Sequence, residues 1–260
     1  MNGSQLFKAA LPLLLIVCST ILVLFTTLSG VSHNELWLVR VDLTKLSFEP
    51  STTSTSNPIP GSITPGGPKA NLTANDLNLS NTYEINVWGY CYVGNDGQRQ
   101  CTKAQYDWAS SWLNVDNAGQ LDSTSGGKIM LSQKFKDSLS LFCNITKGAQ
   151  VALIFGLLVL GITFLVGVFA RSVSTWQSIV AAIMVVFVCA AAGLVSAMSA
   201  IIMDVIENDL KNYGVVGSNG TTFLAIAWIG VVLALIAAIF WWATTCCCSS
   251  RGRSSEKQFD

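Results

Sequence analysis

The sequence predicts an all-α transmembrane fold: a four-helix bundle that carries a small extracellular antiparallel β-sheet. Three observations predict it. Of the 260 residues, 51% are hydrophobic and only 12% are charged, whereas a soluble domain carries about a quarter charged. The apolar residues gather in four blocks, each long enough to cross roughly 30 Å of hydrocarbon as a helix. Between the first two blocks lies a long polar stretch holding Trp88-Gly89-Tyr90-Cys91 and a second cysteine, Cys101. Formal net charge is zero, so no basic field draws nucleic acid.

Residues 1–5 form a short N-terminus and 6–29 the first span. Lys8 lies near its start, and Pro12 kinks it or sits near its first turn. A cleaved signal peptide is the alternative, because Thr26, Ser29 and Gly30 are small. Residues 30–147 form the large polar loop. Within it, 35–43 is β-rich and reads as a strand, and 83–93 and 98–103 supply two more. Residues 51–68 are rich in Ser, Thr, Pro and Gly; they read as a flexible loop whose hydroxyls suit O-linked sugars. A short helix with Trp108 and Trp112 is expected over 105–113. An amphipathic helix over 128–142 places Ile129, Met130, Phe135, Leu139 and Phe142 at helical spacing. The remaining spans are 148–170, 176–203 and 221–243, the last ending in the interfacial pair Trp241-Trp242. A turn, 171–175, and an acidic loop, 204–220, join them, and 244–260 is the tail.

The two cysteines of the polar stretch read as a hairpin closed by a disulfide. Asn95-Asp96-Gly97 between them is turn chemistry, since Asp-Gly tolerates the positive φ of a tight turn. Closing so short a loop stabilises by about 2.5–3 kcal/mol in the chain-entropy model. The alternative is two buried free thiols. Cys143 has no evident partner and reads as an inert buried thiol.

Charge sets the orientation. Arg171 occupies the turn, and Arg251, Arg253 and Lys257 follow the last span, while the 204–220 loop holds Asp204, Glu207 and Asp209 against Lys211. Positive-inside counting puts both termini in the cytoplasm and the large loop outside, where a disulfide persists. Sequons at Asn71 and Asn78 fit that side as N-glycosylation sites. Those at Asn144 and Asn219 lie close to the membrane, where a sugar is less expected.

The four span cores hold no Asp, Glu, Lys, Arg or His, which argues against a proton relay or ion pump within one subunit. Small residues recur at four-residue spacing instead: Gly148, Ala152 and Gly156; Cys189, Gly193 and Ala197; Ala192, Ser196 and Ala200; Gly230, Ala234 and Ala238. Such stripes let helices approach closely, within the bundle or at a dimer face. No catalytic, cofactor or metal site is expected. His33 is the single histidine, no cysteine/histidine cluster has metal spacing, and Gly66-Gly67 and Gly126-Gly127 lack the rest of a phosphate-binding motif. The acidic trio of the 204–220 loop reads as a solvated face, with cation binding as its alternative. Cys246, Cys247 and Cys248, just past the last span and ahead of Arg251 and Arg253, invite S-palmitoylation and contact with anionic lipid.

Four spans, a large first outer loop, a short second one, and Trp88-Gly89-x-Cys91 followed by Cys101 resemble the claudin superfamily. The second tryptophan expected before the first cysteine is absent, with Tyr90 in that region, and the stretch before the motif is longer than in animal claudins. Both departures point away from a tight-junction role. The strand Leu36-Trp37-Leu38-Val39-Arg40-Val41-Asp42-Leu43-Thr44 shortly after the first span, with Trp-Gly-x-Cys later, resembles the fungal Sur-seven/PalI family. That resemblance implies a claudin-like bundle in which Trp88 packs the sheet onto the helix ends, Gly89 permits close backbone approach, and Cys91–Cys101 staples the sheet. It also implies a multi-pass plasma-membrane protein of cortical patches, linked to eisosomes, wall integrity and endocytosis. The expected role is a non-enzymatic scaffold whose partners are membrane lipids and itself or other integral membrane proteins. The alternatives are an auxiliary subunit of a large membrane enzyme or transporter, a PalI-like component of ambient-pH signalling, and a calcium-influx component.

Overall fold

The computed structural model describes residues 3–31, 36–48, 72–74, 79–94, 96–112, 133–169 and 175–249. Several expectations lie outside those residues: the 51–68 loop, the sequon residues Asn71 and Asn78, the Arg171 turn, and the basic residues of the tail.

Four long helices form the bundle. Helix α1 (Gly3–Leu28) runs through Pro12. Helix α2 (Trp108–Trp112) is the short outer one. Helices α3 (Gln133–Phe169), α4 (Thr175–Val205) and α5 (Thr221–Ser249) complete the set. All four long helices are apolar and long enough to cross a membrane, so the chain is a multi-pass membrane protein. The separate amphipathic helix expected before the second span does not exist as such. Its described residues join the span in one 37-residue helix, roughly 55 Å long, because Lys147-Gly148 interrupts the apolar run without breaking backbone hydrogen bonding. Helix α5 likewise passes the expected end of the fourth span and carries the backbone of Cys246, Cys247 and Cys248.

The small residues let the helices close on one another. Ser19 Oγ on α1 donates to the Gly230 carbonyl on α5 at 2.8 Å, and a methyl on Gly230 would touch Val23 and Leu22. Gly148 and Gly156 face Leu194 and Phe187 of α4. Gly193 faces open space, while Cys189 of the same stripe packs against the core. The two residues of the Trp241-Trp242 pair differ in burial. Trp241 is buried in the core, and only Trp242 is exposed, its indole N–H donating to the Ser178 carbonyl.

Above the bundle stands a five-stranded sheet, entirely antiparallel. Its strands are β1 (Val39–Asp42), β4 (Thr82–Ile85), β5 (Tyr90–Val93), β6 (Arg99–Cys101) and β7 (Val216–Asn219), in spatial order β6-β5-β4-β1-β7. A separate ribbon pairs β2 (Ser47–Phe48) with β3 (Leu72–Thr73). The strand expected over 83–93 is instead a hairpin, β4 and β5, folded at Asn86-Val87-Trp88-Gly89. There the Asn86 N–H donates to the Gly89 carbonyl. The acidic 204–220 loop is also more ordered than its composition implies. A π-helical turn (Ile206–Leu210) and a 3-10 turn (Lys211–Tyr213) extend α4, and β7 then joins the sheet beside β1.

Gly220 makes that junction possible. Its N–H donates to the Leu38 carbonyl at 2.8 Å, and a Cβ there would collide with the Trp37 carbonyl oxygen. Gly220→Ala is expected to cost about 1–3 kcal/mol, the usual penalty of overpacking. It should appear as a lower melting temperature of the detergent-solubilised protein by tryptophan fluorescence, while Ser218→Ala melts with the wild type.

Candidate functional site

The chemistry-bearing groups converge where the sheet meets the bundle. The turn between β4 and β5, which holds Trp88 and Gly89, meets α3 in the middle of that helix. There Gln150, fully buried, uses its whole amide. Its Nε2 donates to the Val87 carbonyl at 2.9 Å and to the Gln105 carbonyl at 3.2 Å. Its Oε1 accepts from the Asp107 N–H at 3.0 Å. Trp108 of α2 donates from its indole to the same Val87 oxygen at 2.9 Å. One carbonyl in the turn thus receives two donors, one from a span and one from the outer helix. A buried amide left unpaired costs about 1–3 kcal/mol, so the three bonds of Gln150 fix both partners.

An ion pair backs the clamp. Lys147 Nζ lies 2.9 Å from Asp107 Oδ2. Burial pushes the Asp107 carboxyl up, but the Ser110 and Lys147 contacts outweigh it and hold it below the usual carboxylate range. Asp107 itself has φ +56°, an uncommon conformation for a non-glycine residue. Its backbone turn there starts α2 with Trp108 facing inward. Trp108 then packs edge-on against Phe142 of α3 at 6.2 Å and on Tyr90 of β5 at 5.8 Å.

The register divides the sheet into two chemically different faces. Arg40, Asp42, Glu84, Cys91, Arg99 and Cys101 share one face. Val39, Val41, Ile85, Tyr83, Tyr90 and Tyr92 share the other. Every charged strand residue among the described strands therefore lies on the first face. Glu84 is buried there between two arginines, with Oε1 taking Arg40 at 2.5 Å and Oε2 taking Arg99 at 2.7 Å. The Arg40 guanidinium also sits 4.8 Å from the Trp37 ring centroid, a cation–π contact.

The structure contains the Cys91–Cys101 disulfide. The two residues lie directly opposite one another on β5 and β6, and Gly97 turns the hairpin at φ +74°. Cys143 is buried and forms no disulfide. Trp88 is half-buried against the bundle core. A Cβ on Gly89 would fall 2.6 Å from Thr102 Oγ1, the atom that accepts from the Tyr90 N–H. The side chains of Cys246, Cys247 and Cys248 lie outside the described set. Of the two membrane-proximal sequons, Asn144 is exposed on α3, and Asn219 accepts from Ser199 at 2.8 Å. Among the described residues no group of three or more His, Cys, Asp or Glu is placed to hold a metal ion.

Gln150, Glu84 and Asp107 escape a reading of the sequence. A single glutamine near the start of an apolar run carries no motif, and its only signal is that it is the one amide there. Gln150→Leu should leave the Gln105 carbonyl and the Asp107 N–H unpaired. It is expected to cost about 1–3 kcal/mol, because both groups are only part-buried and water recovers some of the usual penalty. Limited trypsin digestion should then cleave after Lys103 faster than in the wild type, with helix content by circular dichroism unchanged.

The model of the SUR7/PalI family matches residues 9–240, a stretch that includes the large polar loop, the acidic loop and most of every span. No curated protein matches the chain.

Proposed function

The chain belongs to the SUR7/PalI family, a non-catalytic family of membrane proteins, and from that premise we propose that it is a tetraspan scaffold. In this reading it organises a domain of the fungal plasma membrane, a cortical patch or eisosome with a part in wall integrity. The observation that carries the reading is the use of its polar groups. Gln150, Asp107 and Lys147 are engaged in holding the β4–β5 turn and the start of α2 to the bundle, and Glu84 in holding the strands of the sheet together. A rigid outer platform on a small-residue bundle suits lateral contacts with neighbours in the membrane. Purification in mild detergent with mass spectrometry tests it. Self-assembly or many weak partners is the expected result. Stoichiometric recovery with one large enzyme or transporter would replace the scaffold with an auxiliary subunit.

In the same reading both termini are cytoplasmic and the tail is acylated. The acidic 204–220 loop against Arg171 and the basic tail supports the orientation. Four spans already anchor the chain, so acyl chains on Cys246, Cys247 and Cys248 would act in lipid sorting, with Arg251 and Arg253 holding anionic headgroups. N-linked sugars at Asn71 and Asn78 belong to the outer side. A cysteine placed at Ser123 should label in intact cells. Cys246, Cys247 and Cys248 should label only after permeabilisation and hydroxylamine. Labelling of the three without hydroxylamine would remove acylation, and the reverse sidedness would invert every loop.

A further inference from the structure

The disulfide sits in a row of four cross-strand neighbours: Arg40 on β1, Glu84 on β4, Cys91 on β5 and Cys101 on β6. The row is asymmetric. Cys91 is 2% exposed, whereas Cys101 is only half-buried and lies on the terminal strand of the sheet. Arg99, two residues before Cys101 on the same face, reaches across β5 to Glu84. Arg40 reaches the same carboxylate from the other side.

Thiol–disulfide exchange proceeds by attack of a thiolate on one sulfur, with the other sulfur leaving, and access decides which is attacked. The incoming sulfur travels along the S–S axis. Approach to Cys91 along that axis comes from the β4 side, where Glu84 and the crossing Arg99 side chain stand. Approach to Cys101 comes from the outer side of β6, beyond which the sheet has no further strand.

We propose that the staple is a directional thiol-exchange site, with Cys101 as the accepting sulfur and Cys91 as the leaving thiolate. A small-molecule thiolate bonds to Cys101 Sγ as the Cys91–Cys101 bond breaks. The electron pair of that bond stays on Cys91 as a thiolate. No net oxidant is consumed: the incoming thiol is oxidised to the mixed disulfide and Cys91 is reduced. Reversal regenerates the staple when Cys91 attacks the mixed disulfide at Cys101. The site is therefore one for reversible S-thiolation of the sheet's outer strand.

The test uses the full chain in mild detergent, brief exposure to reduced glutathione, acid quenching and alkylation. Trypsin cleaves after Arg99 and places the two cysteines on separate peptides. The wild type should carry glutathione on Cys101 in about tenfold excess over Cys91, with the alkyl group on Cys91. Glu84→Ala should bring the two adducts toward parity, while Glu84→Gln, which keeps the bulk, should retain an excess on Cys101. Parity or an excess on Cys91 in the wild type overturns the proposal, whatever the variants do. An unchanged ratio in Glu84→Ala removes Glu84 as the shield.

Discussion

The carbonyl of Val87 is the point on which the outer half of the molecule depends. It belongs to a turn with no regular pairing of its own, pressed against the end of an apolar span. A carbonyl so placed must find donors within the protein, because water is excluded from it. Gln150 and Trp108 supply them, and in doing so they join three elements that share no covalent neighbourhood. The hairpin is thereby set at a fixed height on the bundle, α2 is set against α3, and the aromatic face of the sheet closes over both.

The charged face of the sheet has a related logic. Glu84 is buried, and a lone buried carboxylate would cost several kcal/mol. Two arginines from different strands converge on it, one of them spanning the intervening strand. The ion pairs and the disulfide thus bind different sets of strands through different chemistry and meet at β6. The disulfide ties β5 to β6, and the carboxylate ties β1 and β6 to β4.

Much of this was legible in the sequence, and the residues show why the rest was not. The four spans follow from long apolar runs whose signal is local. The staple follows from two cysteines around a turn sequence. The break at 86–89 was hidden because Tyr83–Ile85 and Tyr90–Val93 have the same β-forming character, and Trp-Gly between them is not a common hairpin dipeptide. The 37-residue length of α3 was hidden by Lys147-Gly148, which resembles a boundary in composition but keeps its helical bonds. Strand β7 was hidden most deeply. Val216-Gly217-Ser218-Asn219 has little β-propensity, and its partner β1 lies far away in the chain. Only tertiary pairing makes it a strand. Gln150 carried no local signal, since its meaning resides in the backbone groups it meets.

The position of β7 has a consequence for how the protein is made. Strand β1 follows soon after the first span, yet one of its edges waits for a strand located between the third and fourth spans. Until the ribosome has passed residue 219 and the neighbouring helices are in place, that edge remains an unpaired row of backbone donors and acceptors. Completion of the sheet is therefore a physical record that the third span and the segment after it have been made. A chain that stops short of β7 leaves the edge of β1 open, and a finished one covers it.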